Sequence, residues 1–154
     1  MPRQTSIHLR GDSAQSASFI NVSGEIDTST ARAFREQLFS GISGNDIQYV
    51  IVRLKHVPYM DSSGIAVLLE LFKATRKKHL RLSLLEPSEA VRQALGMVDF
   101  EALTPVYSTI RECAECTGIG ISSLRSGLEL NDRESLPAST NSSRASVRES
   151  SRAG

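Results

Sequence analysis

The chain has 154 residues, 40% of them hydrophobic and 23% charged, and 18 Lys and Arg stand against 17 Asp and Glu for a net charge of +1. This is the composition of one soluble globular domain, and it argues against a protein held to nucleic acid by phosphate neutralisation, which would be more basic. No apolar run approaches the ~20 residues that cross a bilayer, no signal-peptide core follows Met1-Pro2-Arg3, and two cysteines make no disulfide scaffold, so a cytoplasmic location without membrane insertion is expected.

Ser6-Ile7-His8-Leu9 and Ser18-Phe19-Ile20-Asn21-Val22 read as two short strands, with turn chemistry in Gly11-Asp12-Ser13 between them. After Gly24-Glu25-Ile26-Asp27, the residues Ala31, Phe34, Leu38 and Ile42 recur at helical spacing, with Asp27, Thr28 or Ser29 placed to cap the helix and Gly41 and Gly44 to end it. Ile47 to Leu54 is strongly β-prone, and its centre, Val50-Ile51-Val52, lacks polar alternation, as in a strand covered on both faces.

A second helix starts after Met60-Asp61-Ser62-Ser63-Gly64 and runs through Ile65, Leu68, Leu69 and Phe72. The cations Lys73, Arg76, Lys77 and Lys78 fall near its C-terminus, where they complement the helix dipole. Leu80 to Leu85 is the next strand. Ser88 is placed to cap a helix carrying Val91, Ala94, Leu95 and Val98, Leu103 to Tyr107 is a weak strand limited by Pro105, and Ser108 or Thr109 opens a last helix through Ile110, Cys113 and Ala114. The order ββαβαβαβα favours an α/β layer structure around a mixed sheet.

The composition changes past this point. All eight aromatic residues lie at or before Tyr107, whereas from Ser122 onward there are ten Ser, five Arg and four acids, with no aromatic residue and no Lys. A run such as Ser139 to Ser146 buries too little apolar surface to offset its ordering entropy. The expectation is a folded unit over 1–117 and a Ser/Arg-rich disordered tail over 118–154.

Several chemistries are absent. There is no P-loop and no G-x-S-x-G nucleophile elbow, and His8, His56 and His79 are scattered. Cys113 and Cys116 form one C-x-x-C with no second pair to complete a zinc site. No catalytic residue, metal ligand or cofactor site is expected, and the chain is not read as an enzyme. A Ser–His pair of Ser62 with His56 has no oxyanion-hole motif beside it.

Asp61-Ser62-Ser63-Gly64 stands out because it falls at a loop-to-helix junction, with Asp61 or Ser62 as N-cap. A serine there suits a phosphate, since free N–H groups and the positive dipole end favour added negative charge by roughly 0.3–1 kcal/mol. Asp61 opposes an inward phosphate, so the group would project outward and change what a partner surface meets.

Gly24-Glu25-Ile26-Asp27, followed one helix and one strand later by Tyr59-Met60-Asp61-Ser62-Ser63-Gly64-Ile65-Ala66-Val67-Leu68, resembles the STAS domain family. More narrowly it resembles the bacterial anti-sigma factor antagonists, or anti-anti-sigma factors, from about Ser6 to Cys116. The resemblance implies a STAS fold, a mixed sheet of about five strands with four helices mainly on one face. It also implies partner switching that regulates transcription. The unphosphorylated antagonist binds an anti-sigma factor that is a serine kinase of the GHKL type and frees the sigma factor, phosphorylation abolishes binding, and a metal-dependent phosphatase of the PP2C type restores it. Carried over by position, Ser62 is the phosphoacceptor, with Ser63 second in line, and Asp27, Asp61, Ser62, Ser63 and Gly64 form the partner-binding set. A family Gly is replaced here by Ala66, which adds one methyl within the helix. The other use of such a domain is as a subunit of an ABC-type lipid-transport complex.

Overall fold

The computed structural model describes residues 5–10, 16–44 and 46–135. Five strands form one sheet in the order β1-β2-β3-β4-β5: β1 (Thr5–Arg10), β2 (Ala17–Ser23), β3 (Tyr49–His56), β4 (Arg81–Leu85) and β5 (Val106–Tyr107). β1 runs antiparallel to β2, and the other three pairings are parallel. The mixed α/β sheet expected from the sequence is thus present. The weak strand shrinks to two residues after Pro105, which has no N–H to give the ladder.

Alternation along the strands sends side chains to two faces. Ile20 and Val22 of β2, Val50, Val52 and Leu54 of β3, and Leu82 and Leu84 of β4 belong to the larger core. Against them pack α1 (Ala31–Ser40) through Phe34 and Leu38, α2 (Ser62–Lys77) through Ile65, Leu68 and Leu71, and α3 (Glu89–Met97) through Val91 and Leu95. Fully burying each such side chain contributes roughly 1.5–3 kcal/mol. Ser88 and Thr109 cap their helices as expected, accepting from the N–H groups of Val91 and Glu112. The start of α1 differs. Its N-cap is Thr30, without a side-chain cap bond, and Asp27, Thr28 and Ser29 lie ahead of it in the loop.

The second face departs from the expectation of four helices mainly on one side. Ala17, Phe19, Ile51 and Leu85 are covered there by α4 (Ile110–Thr117) and by a fifth helix, α5 (Ile121–Ser135). The boundary at 117 is therefore corrected, because Ile119, Leu124 and Leu128 are buried in this second core. Ile119 ahead of the helix, and Leu124 and Leu128 one turn apart on it, hold the segment despite its Ser/Arg composition. Gly127 lets the helix approach, since a Cβ there would stand 2.8 Å from the Phe19 ring. The remainder of the proposed tail, 136–154, lies outside the described residues, as does the turn at Gly11-Asp12-Ser13.

Cys113 is buried on this face and Cys116 is exposed, and both are free. Burial pushes the Cys113 thiol up to about 12. From its ordinary value of 9.0 up to about 12 the unfolded chain loses a proton that the folded chain keeps, so this group lowers stability as pH rises through that window. At neutral pH a thiol reagent is expected to modify one cysteine in the native protein and two in denaturant. Rapid native modification of both would contradict the packing of α4.

Candidate functional site

β2 and β3 are parallel, so the segments that follow them leave the sheet at the same end. Gly24 takes a positive φ of 96°, open to glycine at little cost, and its N–H donates to the His56 carbonyl at 3.0 Å. Beyond it the Ile26 N–H donates to the Tyr59 carbonyl at 3.0 Å, and the Asp61 N–H donates to the Ile26 carbonyl at 3.1 Å. This short parallel bridge, Ile26 with Met60, brings Gly24-Glu25-Ile26-Asp27 beside Tyr59-Met60-Asp61-Ser62.

At the mouth of α2 the Asp61 carboxylate accepts from the Ser63 N–H at 2.9 Å and caps the helix. Ser62, the first helical residue, is exposed. Ser63 is half-buried, and its hydroxyl lies 3.2 Å from that of Thr28, which links the two loops by side chains as well. Asp27, Asp61, Ser62 and Ser63 thus gather at one end of the sheet.

Gly64 is placed differently from the expectation that it would meet a partner. It is buried, and a Cβ built on it would stand 2.5 Å from Met60 Cγ and 2.8 Å from Ile26 Cγ2. Its role is internal: it lets α2 close onto the Ile26–Met60 bridge. Gly64→Val is expected to destabilise the fold by about 1–3 kcal/mol through overpacking. An unchanged midpoint in chemical denaturation would contradict this.

Asp27 organises its own loop. Its Oδ1 accepts from the Ser29 hydroxyl at 2.7 Å, the Ser29 N–H at 2.9 Å and the Thr30 N–H at 3.2 Å. These bonds, that from the Ser29 hydroxyl foremost, hold its carboxyl below its ordinary value. Asp27 therefore stays ionised at neutral pH, and its contribution to loop order is lost only as pH falls through that lowered value. Thr28, Ser29 and Thr30 join the site beyond the residues expected from the sequence. The available signal was an Asp followed at short spacing by hydroxyl residues, the composition of an Asx turn.

Glu25, Asp27 and Asp61 belong to the two loops beside Ser62, and among the described residues no ion pair reaches them. A cavity of about 360 Å³, lined by Gly24, Glu25, Asp27, Ser29, Thr30 and Pro58, includes Asp27 of this surface, and Tyr59 is 48% exposed. Among the described residues no group of three His, Cys, Asp or Glu is placed to hold a metal ion, and no helix is long and apolar enough to cross a membrane.

The family model described as STAS domain matches residues 12–113. An anti-sigma F factor antagonist of Paenibacillus polymyxa is 27% identical over 88 residues, which cover 57% of this chain and 75% of that protein. The solved structure of the anti-sigma factor antagonist SpoIIAA in its unphosphorylated form superposes with a TM-score of 0.57 at 20% identity, covering 75% of this chain and 99% of the other. The STAS domain of a SulP transporter from Vibrio cholerae superposes with a TM-score of 0.50 at 23% identity, covering 73% and 82%. The two structural likenesses share a fold and differ in setting, so the fold alone does not choose between regulator and transport subunit.

Proposed function

Since the chain belongs to the STAS domain family, we propose that it is an anti-sigma factor antagonist that acts by partner switching, with Ser62 as the switch. In its unphosphorylated form it binds an anti-sigma factor that is a GHKL-type serine kinase, and so releases a sigma factor. The kinase phosphorylates Ser62, binding is lost, and a PP2C-type phosphatase restores the competent state. The chain itself is the substrate of these enzymes and catalyses nothing.

One observation carries this reading above the others: Ser62 presents its side chain to solvent at a helix N-terminus, beside a second loop with an ionised carboxylate. A kinase reaches such a serine without unfolding the domain. The added −1.5 to −2 charges then stand among Glu25, Asp27 and Asp61. In a docked interface that phosphate is desolvated without a cation from this chain, and burying an unpaired charge costs several kcal/mol. Every 1.4 kcal/mol is tenfold in affinity, so a loss of about a hundredfold or more requires no change of fold.

Similarity to a named anti-sigma F factor antagonist favours the regulator over a subunit of an ABC-type lipid-transport complex. Co-purification with the tagged full-length chain tests the choice. Recovery of a GHKL kinase supports the proposal, and recovery of an ABC ATPase instead overturns it.

A further inference from the structure

We propose that the end of the sheet remote from Ser62 holds a binding site for a small organic dianion with an apolar body, of the phosphate-monoester type. The site is a cavity of about 410 Å³ where β3 and β4 begin and the last turn of α2 ends. That volume lies within the roughly 300–1,000 Å³ of small-molecule sites.

Two of its walls are aromatic rings, each with an arginine laid on it. Tyr49 and Arg81 are ladder partners of β3 and β4, and the Arg81 guanidinium lies 6.0 Å from the centre of the Tyr49 ring. Arg76, in the last turn of α2, lies 5.7 Å from the centre of the Phe72 ring. Stacking of this kind limits where each guanidinium sits. Neither has a carboxylate partner among the described residues, and no Asp or Glu lines the cavity. Leu80, Leu82, Leu103 and Pro105 give the lining an apolar part, and Ser83, Thr104 and Tyr107 are among its polar residues. Burial pushes the Tyr107 phenol up to about 12, and its hydroxyl is hydrogen-bonded to the side chains of Cys116 and Ser83.

The charge and shape together select the ligand. Two guanidinium forks without an internal anion suit the oxygens of a dianion, which they engage edge-on. The rings and aliphatic walls suit an apolar body attached to it. The neighbouring Lys78 does not supply this charge, because its ammonium donates to the Ile42 carbonyl at 3.0 Å. The chain's own C-terminal segment is a poor occupant, since 136–154 carries Arg144, Arg148 and Arg152 against Glu149. Ser62 and Arg76 stand near opposite ends of α2, about 20 Å apart at 1.5 Å per residue, so the site is separate from the phosphorylatable surface.

Titration of the full chain with phenyl phosphate, followed by amide chemical shifts, tests this. Saturable shifts are expected at Tyr49, Arg81, Ser83 and Tyr107, with Ser62 to Gly64 unmoved. Phenol and inorganic phosphate are each expected to bind at least about tenfold more weakly, because each lacks half of the recognised chemistry. Arg76→Gln and Arg81→Gln, both at exposed positions, should each weaken phenyl phosphate about tenfold, while Lys73→Gln leaves it unchanged. Shifts that do not saturate, equal affinity for inorganic phosphate, or full binding by the double arginine variant would each overturn the proposal.

Discussion

Ser62→Ala is expected to bind the anti-sigma kinase as tightly as the unmodified protein, Ser62→Asp at least about tenfold more weakly, and the Ser62-phosphorylated protein about a hundredfold or more weakly. The gradation follows from charge. Alanine removes one exposed hydroxyl at the helix start and leaves the Asp61 cap in place. Aspartate adds one negative charge beside Glu25, Asp27 and Asp61, and a phosphate adds about −1.5 to −2. The attraction of these groups to the α2 N-terminus is at most about 1 kcal/mol at an exposed position and does not offset a desolvated, unpaired charge in an interface. Titration calorimetry against the kinase reads all three affinities. Equal binding by Ser62→Ala and Ser62→Asp would remove the electrostatic basis of the switch.

Leu124→Ala is expected to cost about 2–5 kcal/mol of stability, the range for truncating a fully buried leucine. Leu124 is 0% exposed and packs in the second core with Phe19, Ile51, Cys113 and Leu128. A chain cut after Thr117 should lose at least as much, because the sheet face bearing Ala17 and Phe19 would then lose Ile119, Leu124 and Leu128 from its cover. Urea unfolding measures both. If the folded unit ended at 117, neither change would move the midpoint.

The first four helices and the strands other than β5 were legible because their signals are local and strong. Val50-Ile51-Val52 has no polar alternation, Phe34 and Leu38 lie on one helical face, and Ser88 and Thr109 each precede an apolar periodicity. The α5 helix was hidden by averaging: its buried positions, Leu124 and Leu128, are diluted by Ser122, Ser123, Arg125 and Ser126, which remain outside the core. At the site, the role of Asp61 was legible because N-capping depends only on nearest neighbours. The inward role of Gly64 was not, since it depends on Ile26, 38 positions earlier, meeting Met60 across a parallel bridge. The same holds for Asp27, whose ties to Ser29 and Thr30 make it a loop organiser as well as a surface charge.

The most direct measurement is to incubate the full chain with the host's GHKL-type anti-sigma kinases and ATP, map the phosphosite by mass spectrometry, and assay the product for kinase binding. One phosphate on Ser62 and loss of binding are expected. Phosphate between Ser139 and Ser151 with none on Ser62 would contradict this.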